Sequence, residues 1–178
     1  MLPLQRVNPG KGHTMSKRNI LMACGIAVAL AAASSVPALA DAVVKASLLD
    51  KGGIMDMSKS MGLGMGMKAN MKMAIMSIKI DQKSVPAGKV TFKVTNASKE
   101  AIHEMIVARV ADENAVLPFV ENENRVDEEK AGHLGEVSEL EPGKSGALTV
   151  EMKPGLYILY CNIPGHYMAG MWTTLKVK

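Results

Sequence analysis

The sequence predicts an all-β chain folded as an antiparallel β-sandwich. Three observations carry this. Short segments alternate apolar and polar residues with period two, Gly/Pro turns separate them at close intervals, and no convincing long helix follows residue 40. Seven or so strands at such spacing form the sandwich or barrel pattern.

The chain opens with a segment expected to lie outside the fold. Residues 16–40 read SKRNILMACGIAVALAAASSVPALA. Lys17 and Arg18 supply a basic start, Ile20 to Ala33 an apolar run, and Ala38-Leu39-Ala40 a small-x-small cleavage site. This is the pattern of a secretory signal peptide and points to the periplasm. The run is short for a membrane span, so no stable membrane insertion is expected. Most of the run follows Cys24, which argues against a lipobox there. Met15 directly precedes the basic start, and residues 1–14 would then be an N-terminal extension.

The expected mature chain, 41–178, has the size of one domain. Arg6, Lys11, Lys17 and Arg18 precede it, which leaves 17 basic residues against 17 acidic. That neutral balance gives no reason to expect nucleic-acid binding. The charge is segregated, with ten lysines in 45–99 and ten acids in 111–141, a polarity able to orient a partner.

The strands follow in order. Val43 to Leu49 is the first, Met76 to Lys83 the second. Pro86-Ala87-Gly88 turns the chain into Lys89 to Asn96, where Val90, Phe92 and Val94 alternate with Thr91, Lys93 and Thr95. Asn96-Ala97-Ser98-Lys99 is a turn before Ile102 to Val110. Glu136 to Leu140 precedes Pro142-Gly143, and Ala147 to Met152 places Leu148, Val150 and Met152 on one side. Leu156 to Cys161 is apolar on both sides and suits a central strand. Met171 to Lys178 closes the chain with Met171, Thr173, Leu175 and Val177 on one face. Two stretches break the pattern. Residues 111–135 form an acidic, Asn-rich insertion with room for a short helix, and residues 52–76 are rich in Gly and Met.

With the signal peptide removed, Cys161 is the single cysteine, so it can form no internal disulfide. A leftover thiol in an oxidising compartment is either buried and inert or bonded to a metal. The segment from Cys161 to Met171 links two predicted strands and contains His166. It therefore offers a thiolate, an imidazole and a thioether in one loop. Blue copper centres use two His and one Cys with a weak axial Met. A second imidazole must come from His103 or His133. His103 interrupts the apolar stretch Ile102 to Val107 and is chosen by position, and His133, inside the acidic insertion, is left as a supporting or surface residue. Zinc would gain little from the thioether.

The C-x4-H-x4-M loop, the upstream segment Asn-Ala-Ser-Lys-Glu-Ala-Ile-His-Glu-Met and the ending Gly-Met-Trp-Thr-Thr-Leu-Lys-Val resemble the cupredoxins. The loop spacing is similar to that of rusticyanins and sulfocyanins. Plastocyanins have a shorter gap between Cys and His. The resemblance covers roughly residues 76–178 without the insertion. It implies a Greek-key β-sandwich with His103, Cys161 and His166 as equatorial copper ligands and Met171 as axial ligand. In several cupredoxins a small polar residue follows the upstream His and braces the loop near Cys, a place held here by Glu104. Met168 is a rival axial donor, but it stands only two residues after His166.

The function then expected is electron transfer by Cu(I)/Cu(II) cycling, with His166 as the exit. A redox partner protein would dock near His166 and Trp172, on Ile163, Pro164, Tyr167, Met168 and Trp172. The alternative is copper sequestration, delivery or resistance. Its support is the run Met55, Met57, Met61, Met65, Met67, Met71, Met73 and Met76, whose soft thioethers suit auxiliary Cu(I), although Met also fills irregular packing gaps. A copper enzyme would need further histidine-rich sites, and only His133 is left over, so no enzyme is expected. The expected state is a monomer.

Overall fold

The computed structural model describes residues 41–178 except 53–55, 58–59 and 69. The expected signal peptide and extension lie outside the described residues, as does Met55. The elements run β1 (Ala42–Asp50), β2 (Met76–Ile80), β3 (Ser84–Val85), β4 (Gly88–Asn96), β5 (His103–Val110), β6 (Phe119–Val120), β7 (Arg125–Val126), α1 (Glu128–Ala131), β8 (His133–Leu140), β9 (Ser145–Met152), β10 (Gly155–Tyr160) and β11 (Trp172–Val177). One sheet has the order β2-β1-β4-β9, the other β3-β11-β10-β5-β8, and β6 and β7 form a separate ribbon. The chain crosses between the two sheets after β2, β3, β4, β8 and β9, so each sheet is built from strands distant in sequence, as in a Greek key.

Period-two alternation builds the space between the sheets. Val44, Ala46 and Leu48 of β1 and Val90, Phe92 and Val94 of β4 face Met105 and Val107 of β5, Tyr157 and Leu159 of β10, and Leu175 of β11. Phe92, Val94, Leu159 and Leu175 are fully buried. Each large apolar side chain so placed contributes about 1.5–3 kcal/mol relative to exposure. The opposite faces of β5 and β10 are apolar for a second reason. Ile106, Ala108, Ile158 and Tyr160 pack with Leu117, Val126, Met65, Tyr167 and Met168 in a second core on the outside of that sheet. This accounts for a strand β10 that is apolar on both sides.

Several expectations are refined. The sandwich is antiparallel except where β1 lies parallel to β4 and β3 parallel to β11. The strand expected over 76–83 ends at Ile80 as β2, and the short β3 follows it at Ser84–Val85 in the other sheet. The acidic insertion is a folded cover, made of the β6–β7 ribbon and the short α1, and its last residues already belong to β8. Of the Met-rich stretch, Leu63 and Met65 are buried, and Met71–Met73 form a 3-10 turn capped by Asn70, whose Oδ1 accepts Lys72 N–H at 3.1 Å.

One buried amide fixes the turn that delivers His103. Asn96 is fully buried at the end of β4. Its Nδ2 donates to Ala101 O at 2.8 Å and to Leu140 O at 2.7 Å, and its Oδ1 accepts from Ser98 N–H at 3.0 Å. Replacing it takes a partner from Ser98 N–H, Leu140 O and Ala101 O, of which Ala101 O keeps another, Ser98 Oγ at 2.8 Å. Asn96→Ala should therefore cost about 3 kcal/mol of stability, read from the shift of the urea midpoint at unchanged slope.

Candidate metal centre

Three elements meet at one end of the sandwich. His103 is the first residue of β5, Cys161 follows the last residue of β10, and His166 and Met171 lie in the loop before β11. The loop is wound tightly by its own backbone. His166 N–H donates to Ile163 O at 2.9 Å, Ala169 N–H to Gly165 O at 2.9 Å, and Met171 N–H to His166 O at 3.1 Å. Cys161 N–H closes the loop by donating to Met171 O at 3.1 Å. Gly170 has φ +91°, and a Cβ there would stand 2.6 Å from that of Ala74, so only glycine fits.

The donors expected from sequence converge. One atom from each of His103, Cys161 and His166 lies within 4.8 Å of the others, and all three residues are buried. The two Nδ1 atoms are 3.2 Å apart, and Cys161 Sγ is 3.4 Å from His166 Nδ1. The rings meet edge to face, 5.1 Å between centroids and 63° between planes. Met171 is fully buried in the core cluster that contains Cys161, and its backbone is bonded to both Cys161 and His166. Met168 belongs to the second core, with its sulfur packed towards Gly64, which disfavours it as the rival axial donor. His133 is exposed on β8 opposite Ala108 and takes no part in the cluster.

Burial keeps these donors uncharged when no metal is bound. It pushes the Cys161 thiol up to about 12, although hydrogen bonds to its sulfur from the backbone of Glu104 and Ile163 work the other way. Burial, followed by the neighbouring His103, pulls His166 down to about 4. Burial also lowers His103, against the opposing hydrogen bond and charge of Asp50. At neutral pH two neutral imidazoles and a thiol therefore face one another. Two Nδ1 lone pairs at 3.2 Å repel unless a proton or a cation lies between them. Two imidazoles and a thiolate, with a thioether nearby, form the donor set for copper.

A dense shell of hydrogen bonds holds the donors. Glu104 is buried, and burial lifts its carboxyl to about 7. Its Oε1 accepts Asn162 N–H at 3.0 Å, so the brace between the residue after His103 and the residue after Cys161 is present, made by a longer side chain. Asn162 also ties in the insertion. Its Oδ1 accepts Val126 N–H at 2.7 Å, and its Nδ2 donates to Val126 O at 2.9 Å and Glu128 Oε1 at 2.7 Å. Gly165 N–H donates to Asn124 O at 2.7 Å. On the other side of the cluster, Asp50 Oδ2 lies 3.2 Å from His103 Nε2. Sequence reasoning missed Asp50. Its only trace there is an acid directly after the strand expected over Val43 to Leu49.

The expected docking patch is smaller than the sequence suggested. Tyr167 and Met168 are buried, because residues 63–67 lie across them. Leu63 N–H donates to Met168 O at 3.0 Å, Met65 N–H to Tyr167 OH at 2.9 Å, and Trp172 Nε1–H to Leu63 O at 2.8 Å. His166 is only 6% exposed. Of the five patch residues, Pro164 is exposed, and Ile163 and Trp172 are half-buried.

Known proteins resemble this arrangement. A family model described as copper-binding proteins of the plastocyanin/azurin family matches residues 63–178. No curated protein sequence matches the chain. Among solved structures, a rusticyanin variant is 19% identical with a TM-score of 0.50, over 78% of this chain and 77% of that one, which shows the fold. Rusticyanin from Thiobacillus ferrooxidans has a TM-score of 0.49 at 19% identity, over 78% of this chain and 77% of that one. Auracyanin from Roseiflexus castenholzii has a TM-score of 0.42 at 24% identity, over 56% of this chain and 86% of that one.

The protonation states set the stoichiometry of metal uptake. At pH 7 the imidazoles carry no extra proton to lose, whereas the thiol must lose its own to become a ligand. Cu(II) binding should thus release about one proton per site. Calorimetry in buffers of different ionisation enthalpy measures this, and Cys161→Ser should bring the release at this site close to zero.

Proposed function

The chain belongs to the plastocyanin/azurin family of copper-binding proteins, and from that premise we propose that it is an exported electron carrier. The observation that carries the proposal is the convergence of His103, Cys161 and His166 as buried, uncharged donors. Copper held there would supply one-electron cycling between Cu(I) and Cu(II). His103, Cys161 and His166 are the proposed equatorial ligands and Met171 the axial one.

The chain's own part is to hold these donors still. The loop is bonded to itself, to Glu104 across the sheet and to the insertion at Asn162 and Gly165, so the donors are set in place before the metal arrives. A site that does not rearrange between oxidation states transfers electrons with little reorganisation. Burial excludes water and side reactions from the thiolate. The partner would meet the exposed Pro164 tip beside Ile163, next to His166, with Trp172 at the margin. A small contact of this kind suits a brief encounter between redox proteins. The signal-peptide pattern over 16–40 favours the periplasm, and 41–178 is the proposed mature domain.

Adding Cu(II) to the purified metal-free protein should produce a strong visible thiolate-to-copper band. Cys161→Ser should abolish it. A wild-type protein that stays colourless with copper bound would rule the reading out.

A second reading, copper handling, is favoured by one observation: Met61, Met67, Met71 and Met73 are 37–61% exposed. Exposed thioethers beside a copper loop could collect Cu(I). Leu63 and Met65 are structural, so only the exposed sulfurs should be changed. Replacing those four methionines by serine should lower Cu(I) stoichiometry by at least one per chain if they bind metal, by anaerobic titration. Unchanged stoichiometry leaves the electron carrier alone.

A further inference from the structure

The proposed ligands are supported unequally. Among the described residues, His166 has no side-chain partner outside the cluster, whereas His103 has one. Its Nε2 faces Asp50 Oδ2 at 3.2 Å, with side-chain exposures of 0% and 4% for the pair. The other carboxylate oxygen, Oδ1, accepts Gly52 N–H at 2.7 Å. Among the described residues, no lysine or arginine makes an ion pair with Asp50. Lys51 and Lys99 line the solvent-facing pocket beside it, along with Ser98 and Glu100. A full carboxylate thus stands behind one imidazole, on the side away from the cluster.

We propose that Asp50 is a positioning residue of the copper centre: it accepts the Nε2 proton of His103, keeps Nδ1 bare towards the metal, and through its charge biases the centre towards Cu(II). The inference rests on the copper reading above. Two separate effects are involved. Any acceptor, even a backbone carbonyl, would fix the tautomer of His103. Only a carboxylate adds a net charge, and that charge stabilises the oxidised centre, which carries one positive charge more than the reduced one. The side chains are 0% and 4% exposed, which limits screening, although Asp50 borders an open pocket with Lys51 and Lys99. The tautomer also completes the geometry. With the proton on Nε2, the bare Nδ1 of His103 faces Nδ1 of His166 at 3.2 Å, so the proton between the rings belongs to His166 until a metal displaces it.

The test uses the full chain as isolated, wild type and with Asp50→Asn or Asp50→Ala. In the metal-free wild type, nitrogen NMR should find His103 neutral with its proton on Nε2. In the copper-loaded protein, Asp50→Asn removes the charge at almost constant volume. It should shift the relative affinity for Cu(I) over Cu(II) upward by tenfold or more, a rise in reduction potential of at least 59 mV for one electron. Asp50→Ala should show the same rise, and in its metal-free form a mixture of His103 tautomers. Potentials of both variants within twofold of the wild-type ratio would overturn the electrostatic claim. A wild-type His103 carrying its proton on Nδ1 would overturn the positioning claim. Failure of the copper reading is distinct, since a chain that never turns blue still reports its His103 tautomer.

Discussion

Two imidazole nitrogens 3.2 Å apart, with a thiol sulfur 3.4 Å from one of them, form an arrangement that water-exposed side chains would not keep. Only a proton or a cation between the two nitrogens makes that approach favourable, and His103 and Cys161 are fully buried. What keeps the donors together is the scaffold on either side. β5 supplies His103 from one direction and the β10–β11 loop supplies Cys161 and His166 from another, and the two strands are paired along Leu156–Tyr160 opposite Val110–Ile106. The sandwich presets the spacing of the donors, and a cation of the right softness can take the place of the proton between them.

Around that point the chain has invested more structure than a minimal sandwich needs. The insertion adds a second apolar core outside the β5–β10 sheet, with Tyr160 and Tyr167 in edge contact at 5.9 Å. Its polar atoms go to the ligand loop, where Asn162 receives or donates bonds to Val126 and Glu128 and Gly165 is held by Asn124. The Met-containing segment closes the remaining side through Leu63, Met65 and Trp172. The loop is therefore a layer between two packed faces, and the residues after Cys161 are buried for reasons of packing as well as ligation.

The strand pattern was legible because alternation reports directly which side chains face the sheet-to-sheet core, as Val90, Phe92 and Val94 do. The ligand types were legible because a single thiol, few histidines and a five-residue spacing leave little choice. Asp50 and the Glu104 brace were not, because they act through contacts 53 and 58 residues away along the chain, which no local pattern encodes. The same holds for the cover over Tyr167 and Met168. Periodicity identified these residues as flanking the loop, but whether they meet solvent depends on where a distant glycine-rich segment folds back. Gly64 illustrates the point, since a side chain there would stand 2.8 Å from the Tyr167 ring, and sequence alone offers no reason for its small size.

The enclosure of His166 separates two rates that are often joined. Electrons tunnel across a few ångströms of packed protein, so the thin rim at Pro164 is no obstacle to them. An ion cannot tunnel. With His103, Cys161 and Met171 fully buried, part of the lining must move aside for copper to enter or leave, a local unfolding event. A centre built in this way is permeable to charge and closed to mass, and the residence time of its metal is set by how often the lining comes undone.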